Sequence, residues 1–108
     1  MVNCTFCRII RKEIPAAILY EDEKVVAFKD IHPVAPIHFL IIPKEHVEDF
    51  YNLNETNNSG ILSAAKWLID HHRLMDKGYK LEINGGGAQI VGHVHFHLIA
   101  PVGAPVDV

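Results

Sequence analysis

Residues 93–99 read His93-Val94-His95-Phe96-His97-Leu98-Ile99, which sets histidine and apolar residues in strict alternation. In an extended chain successive side chains point to opposite faces, so this stretch predicts a strand with three imidazoles on one face. Val94, Phe96 and Leu98 on the other face would join a hydrophobic core. Imidazole ionises near neutral pH and serves as proton donor, proton acceptor, nucleophile or metal ligand. We therefore expect the functional site on the histidine face, with a polar face of an edge strand as the alternative.

The composition indicates a single globular domain. The chain has 108 residues, of which 49% are hydrophobic and 21% charged, with a formal net charge of −3. These values suit one domain over residues 1–108 and give no electrostatic reason to expect a nucleic-acid partner. No apolar run reaches the ~20 residues that span a bilayer, and no basic segment followed by an apolar one begins the chain. We expect a cytoplasmic protein without a membrane partner.

The first half of the chain is predicted to hold one short helix and three strands. The helix would cover residues 4–12 and end before Pro15, which cannot continue it. Strands are expected at residues 17–21, 24–29 and 37–43, the first two forming a hairpin. Two prolines make residues 30–36 a loop, and such a loop can carry a binding site.

The second half is predicted to hold one long helix and two strands. The helical pattern covers residues 55–77, with Asn54 as its N-cap and Gly78 just after its end. Its apolar surface is too wide for one sheet to cover, since Trp67 would lie in water on its flank. The two strands are expected at residues 79–84 and 92–99. Together the elements predict an α+β fold with a five-stranded, mainly antiparallel sheet, assembled as a homodimer.

Cys4 and Cys7 form a C-x2-C pair, which supplies half of a tetrahedral zinc site. His46 and His93 are candidates for the other two ligands. Two unliganded thiols that pack as small hydrophobic side chains are the alternative. Separately, the glycines at positions 85–87 would leave backbone amides open to an anion such as phosphate, unless they form only a flexible hairpin loop.

His38 enters an otherwise apolar strand, so its ring needs a hydrogen-bond partner. We expect it to orient one of the histidines of residues 93–97, and a core histidine bonded to the backbone is the alternative. His32 in the preceding loop is assigned no role.

These residues resemble the histidine triad family, whose signature alternates histidine with apolar residues as residues 93–99 do. Further similar segments follow the family's order and spacing at residues 4–10, 13–15, 28–31, 35–44 and 78–79. The chain is most similar to the nucleotide-binding branch of phosphoramidate hydrolases, which are small homodimers. The resemblance implies hydrolysis of purine nucleoside 5′-phosphoramidates, AMP-like substrates, to a nucleoside 5′-monophosphate and an amine.

The resemblance also implies roles for single residues. His95 would attack the α-phosphorus and form a nucleotidyl-histidine intermediate that water hydrolyses. His97 would contact the phosphate and assist proton transfer, and His38 would orient the nucleophilic side of the site. Asp30 would bind both ribose hydroxyls. The base would lie among Phe6, Ile9, Phe28, Ile31 and Leu40, with Asn84 and Gln89 near the phosphate. Related zinc-binding members imply a structural zinc on Cys4, Cys7, His46 and His93 that the chemistry does not need.

Three other functions are open at this point. A dinucleoside polyphosphate hydrolase would use the same nucleophile. A second is a nucleotide-binding regulatory or scaffold protein with incidental hydrolysis. It is open because Ile90 stands where many hydrolases of this branch have a serine that donates to the phosphate. A zinc hydrolase with His93, His95 and His97 as ligands fits less well, because three ligands at alternate positions of one flat strand suit a tetrahedral metal poorly.

Overall fold

A five-stranded antiparallel sheet lies at the centre of the protein, which a computed structural model describes over residues 4–103. Its strands are β1 (Ile18–Glu21), β2 (Val25–Lys29), β3 (Ile37–Pro43), β4 (Lys80–Ile83) and β5 (Phe96–Ala100). Their order in the sheet is β1-β2-β3-β5-β4, and all four pairings are antiparallel. The helices are α1 (Thr5–Ile10) and α2 (Glu55–His71), with a short 3-10 turn at Phe50–Asn52. The predicted α+β fold with five strands and two helices is confirmed, while residues 1–3 and 104–108 of the predicted domain lie outside the described part.

Each face of the sheet carries a hydrophobic cluster. Side chains alternate along β3, so Phe39 and Ile41 belong to one cluster and Leu40 and Ile42 to the other. The first cluster also contains the buried hydrophobic residues of α2, which are Ile61, Ala64, Ala65 and Leu68. The second contains Cys4, Phe6 and Ile9 from the start of the chain, together with Val26 and Phe28 of β2. Within residues 4–103, no helix is long and apolar enough to cross a bilayer.

Helix α2 begins as predicted and ends earlier. Asn54 caps it in a reciprocal pair with Asn57, each side chain accepting from the other's backbone N–H. The helix stops at His71 instead of continuing through residue 77. Arg73 adopts a left-handed conformation with φ 56°, and the N–H of Leu74 returns to the carbonyl of Ile69 at 2.8 Å. This six-to-one bond is the Schellman ending, which usually has glycine at the left-handed position.

The strand predicted at residues 92–99 also differs from the structure, because β5 begins only at Phe96. The N–H of Val94 donates to the carbonyl of Val47 at 2.7 Å, so a loop bond holds the preceding segment. Helix α1 is shorter than residues 4–12, since Cys4 is its N-cap and Lys12 is left-handed with φ 63°. Strand β3 matches its prediction, and the remaining strands begin or end one residue inside theirs.

Candidate active site and metal centre

The alternation of residues 93–99 separates histidines from core residues as expected. Val94, Phe96 and Leu98 are buried in the cluster under α2. The histidines lie on the other side, where the ring of Phe6 meets His93 and His95 edge-on, at 5.9 and 5.1 Å between ring centroids. Only His97 of the three belongs to a regular strand.

A backbone bond selects the tautomer of His95. Its side chain is buried, and its Nδ1 lies 2.9 Å from the carbonyl oxygen of His93. Because a carbonyl oxygen only accepts, Nδ1 carries the proton of the neutral ring and Nε2 keeps its lone pair. The ring of His97 lies beside it, at 5.0 Å between centroids. The neutral ring of His95 is therefore in the tautomer that a nucleophilic imidazole needs.

A chain of hydrogen bonds fixes His97 in the tautomer opposite to that of His95. The backbone N–H of Val34 donates to Nδ1 of His38 at 3.1 Å, so the proton of a neutral His38 lies on Nε2. That nitrogen is 2.9 Å from Nδ1 of His97 and 3.3 Å from Oδ2 of Asp30. Nδ1 of His97 therefore accepts, and its Nε2–H is left to donate to a ligand. The other oxygen of Asp30 accepts from the N–H of His32 at 2.8 Å.

Burial keeps two of these histidines neutral at pH 7. It is the main cause that lowers the pKa of His97, and positive charge on His95 or His38 would lower that pKa further. Burial also lowers the pKa of His93 to about 4, against the opposing effect of its hydrogen bond to Pro43. Neutral rings have a nitrogen lone pair free to accept a hydrogen bond or bind a metal.

Cys4, Cys7, His46 and His93 come together as a possible metal centre, with ligand atoms within 4.8 Å of one another. Sγ of Cys7 lies 3.2 Å from Nδ1 of His46, and Nδ1 of His93 lies 3.5 and 3.6 Å from the two sulfurs. His93 donates from Nε2 to the carbonyl of Pro43 at 2.8 Å, so the lone pair of Nδ1 faces the thiols. Tetrahedral zinc places sulfur and nitrogen ligands about 3.6 Å apart. The four side chains fit that ion.

The residues expected to contact a base are only partly brought together. Phe6, Ile9, Phe28 and Leu40 are buried in one cluster, with the rings of Phe6 and Phe28 in edge contact at 5.6 Å. Ile31 instead lies in the loop after β2 with 84% of its side chain exposed. The apolar surface beside His95 therefore exists without Ile31.

The glycine loop between β4 and β5 is tied down by side chains. The N–H of Gly86 donates to Oδ1 of Asp49 at 2.7 Å, and the N–H of Gly87 donates to the side chain of Gln89 at 3.0 Å. Gln89 in turn donates to the carbonyl of Glu48 at 2.9 Å. Both glycines are left-handed, with φ 67° and 93°, which explains why glycine stands there. The two amides expected to face an anion already have acceptors within the protein.

Two other positions near this loop are exposed. Asn84, expected near the phosphate, is exposed after β4, and Ile90 is 98% exposed. Asp49 was not among the residues singled out by sequence, although it caps the 3-10 turn and anchors the glycine loop. An acidic residue just before a short helical turn is the pattern that indicates such a cap.

Comparison with known proteins points to one family. The family model of the HIT domain matches residues 11–103. A HIT family hydrolase from Clostridium thermocellum is 42% identical, with a TM-score of 0.89 over 100% of this chain and 98% of that one. Adenosine 5′-monophosphoramidase HNT1 of Candida albicans is 41% identical over 105 residues, 90% of this chain and 69% of that protein. A Zn-bound histidine triad family protein from Mycobacterium smegmatis is 31% identical, with a TM-score of 0.84 over 94% and 76% of the two chains.

Proposed function

This chain belongs to the HIT domain family, and we propose that it is a purine nucleoside phosphoramidate hydrolase. Proteins similar to it include HIT family hydrolases, and one relative is an adenosine 5′-monophosphoramidase. The observation that carries the proposal is that the neighbouring rings of His95 and His97 have opposite tautomers. His95 offers a lone pair on Nε2, and His97 beside it offers an N–H.

The proposed reaction has two steps. Nε2 of His95 attacks the α-phosphorus, the P–N bond of the substrate breaks, and a nucleotidyl-histidine forms. The departing amine takes a proton from water, while the N–H of His97 donates a hydrogen bond to the leaving nitrogen. Water then attacks the phosphorus, the bond to His95 breaks, and the proton that this water loses is released to solvent. The products are a nucleoside 5′-monophosphate and an amine.

Binding of the nucleoside is assigned to residues on the same side of the sheet. Each carboxylate oxygen of Asp30 keeps acceptor capacity for a ribose hydroxyl beyond its contact within the protein. The base would contact Phe6, Ile9, Phe28 and Leu40, and contact with the exposed Ile31 stays a prediction from the resemblance. Asn84 and Gln89 would border the phosphate, and Gln89 retains one amide hydrogen after its bond to Glu48.

We assign a structural zinc to Cys4, Cys7, His46 and His93. These residues come from the start of α1, the turn after β3 and the segment before β5. Zinc would tie the start of α1, which no strand pairing holds, to the ends of the paired strands β3 and β5. It would therefore supply stability rather than take part in the reaction. The Zn-bound relative from Mycobacterium smegmatis supports the choice of metal.

A cytoplasmic homodimer completes the proposal. The reduced thiols of such a zinc site suit the cytoplasm. The sequence predicts Trp67 at the dimer interface, but its ring stacks on His71 at 4.4 Å and lies 5.2 Å from the ring of Tyr20. Trp67 is therefore partly covered by its own chain. Leu62, on the other flank of α2, is 53% exposed and is the better candidate for contact with a second chain.

One feature favours a second candidate, a nucleotide-binding protein with only incidental hydrolysis. Ile90 stands where many family members would place a hydroxyl, and its exposed side chain has no hydrogen-bonding group. A dinucleoside polyphosphate hydrolase is a further alternative, because His95 would attack the same atom.

Incubating the purified protein with adenosine 5′-phosphoramidate and following AMP release separates these functions. We expect release by the wild-type protein and none by His95→Ala. Binding of AMP without release would favour the binding protein. Faster cleavage of a diadenosine polyphosphate in the same assay would favour the dinucleoside polyphosphate hydrolase.

A further inference from the structure

The loop between β2 and β3 brings a backbone amide to the centre of the site. The side chain of Val34 is 74% exposed, which is unusual for a valine, yet its N–H donates to the buried His38. The ends of the loop are tied together, because the N–H of Asp30 donates to the carbonyl of His38 at 3.0 Å. Pro33 and Pro36 restrict the backbone between these ends. The loop therefore presents the amide of Val34 and leaves its side chain in solvent.

The amide decides which protonation states His38 can adopt. Asp30 lies 3.3 Å from Nε2 of His38, so its carboxylate can accept from a proton on that nitrogen. A cationic ring would carry a proton on Nδ1 as well, facing the N–H of Val34. Two donors cannot share one hydrogen bond, so the amide opposes both the cation and the tautomer with its proton on Nδ1.

We propose that the backbone N–H of Val34 is a positioning group, which keeps the proton of the neutral His38 ring on Nε2 and thereby turns His97 into a donor. Without it, His38 could place its proton on Nδ1 and accept from His97 through Nε2. His97 would then point a lone pair, not an N–H, at the substrate. The catalytic consequence rests on the proposed hydrolase, while the protonation states themselves do not.

The same tautomer opposes metal binding at this site. Asp30, His38 and His97 place one carboxylate oxygen and two ring nitrogens within 4.8 Å of one another, a set that suits several transition metals. A metal would need the lone pair of Nε2 of His38. That nitrogen carries a proton as long as Val34 donates to Nδ1.

The protonation states can be measured in the wild-type protein without substrate, by two-bond ¹H–¹⁵N NMR of the imidazoles at pH 7.5. We expect Nδ1 of His38 and Nδ1 of His97 to be unprotonated, and their Nε2 atoms to carry the protons. The amide of Val34 should also exchange slowly with solvent despite its exposed side chain. A proton on Nδ1 of His38, or rapid exchange at Val34, would overturn the inference.

A pair of variants tests the consequence for catalysis. Val34→Pro removes the N–H, and Val34→Ala keeps it while removing most of the side chain. We expect kcat of Val34→Pro to fall about tenfold or more, part of the ~10²–10⁴ that a positioned acid or base contributes, with a smaller change in KM. The ring NMR of that variant should show the proton of His38 redistributed between both nitrogens.

Val34→Ala should match the wild-type protein in both measurements. Equal loss of activity in the two variants would assign the effect to the side chain and overturn the proposal. If Val34→Pro does not fold, the wild-type NMR still decides. If the imidazoles show the expected protonation states but the protein turns over no nucleotide, the proposed function is refuted and this inference stands.

Discussion

Three histidines of the site gain their chemistry from a bond between one ring nitrogen and the backbone, and His97 gains its own from a bond to the ring of His38. The carbonyl of His93 leaves a lone pair on His95, the carbonyl of Pro43 leaves one on His93, and the amide of Val34 leaves a proton on Nε2 of His38. Four similar side chains thus acquire different roles: nucleophile, donor, orienting group and metal ligand. Backbone partners are well suited to this task because they cannot ionise.

His95→Ala is the sharpest single-residue test of the nucleophile. We expect turnover to fall at least about a thousandfold, while AMP affinity stays within about tenfold, because a nucleophile acts mainly on the transition state. Steady-state assays and AMP titration measure the two quantities. Rapid denaturation of the wild-type reaction at alkaline pH, where a P–N bond to histidine survives, should trap a protein heavier by one nucleotidyl group, and this species should be absent from the variant.

His32→Ala is the matched control for that experiment. His32 is an exposed histidine of the neighbouring loop, and only its backbone N–H contacts the site. It should retain both turnover and the trapped adduct. Residual turnover of His95→Ala close to the wild-type value would show that another group attacks the phosphorus.

The spacing of residues 93–97 predicts which residues gather at the site, but not how they are protonated. Alternation with a period of two is a property of one short segment. The sequence of residues 93–97 alone therefore predicts that His95 and His97 lie on the opposite face from Val94 and Phe96. The bonds that select tautomers are not local: His93 reaches Pro43 across 50 positions, and His97 reaches His38 across 59. Such partners follow from strand pairing, which no single segment encodes.

At the scale of elements, the end of α2 shows how a long-range contact overrides a local signal. The polar and apolar pattern continues to residue 77, and Gly78 is a plausible end signal. The helix nevertheless stops at His71, which lets Leu74 turn back into the core with 4% of its surface exposed. Arg73 takes the left-handed position without being glycine or asparagine, so the sequence carries no signal for this ending.

Arg73→Gly should stabilise the protein for this reason. A left-handed conformation costs a residue with a Cβ about 1–2 kcal/mol, and part of that gain is offset by the freedom of glycine in the unfolded chain. We expect a net gain of up to about 1 kcal/mol, measured by urea denaturation. Arg73 is exposed, so little packing is lost.

Lys66→Gly supplies the control of opposite sign. Lys66 is exposed within α2, where glycine should cost about 1 kcal/mol. Equal destabilisation by both substitutions would mean that Arg73 contributes through its side chain and that the backbone strain is not what limits stability.

At the scale of the whole molecule, the proposed zinc site brings the start of α1 next to His46 and His93, which are distant from it in the sequence. Cys4→Ser with Cys7→Ser should abolish zinc binding and lower the stability by about 2.7 kcal/mol at a free zinc concentration 100 times the Kd. That loss corresponds to a melting temperature lower by on the order of 10 °C. Turnover at a temperature where both proteins are folded should change little.

A chelator provides the matched comparison for that prediction. It should lower the melting temperature of the wild-type protein towards that of the double variant and leave the variant unchanged. A wild-type protein that contains no zinc after purification and does not respond to added zinc would contradict the assignment.

The surface that would bury a second chain can be located from the sheet order. Trp67 of α2 contacts Tyr20 of β1, so this flank of α2 faces the β1 edge, and Leu62 on the other flank faces the β4 edge. Leu81 of β4 pairs with Leu98, so it lies on the α2 side of the sheet, and it is 39% exposed. Strand β4 is an edge strand, and among residues 4–103 no strand pairs with its outer side, so a second copy could pair there.

We therefore expect a dimer through β4 and the Leu62 flank of α2, with twice the 12.1 kDa mass of one chain in analytical ultracentrifugation. Leu81→Lys should weaken it by about 2 kcal/mol or more, roughly 30-fold in Kd, because a charge would enter an apolar contact. Ile18→Lys is the matched control, since Ile18 is 37% exposed on the opposite edge strand β1. Dissociation by Ile18→Lys alone would place the interface at the β1 edge. A wild-type protein that is still a monomer at ~100 times the protein concentration of the activity assay would exclude the dimer.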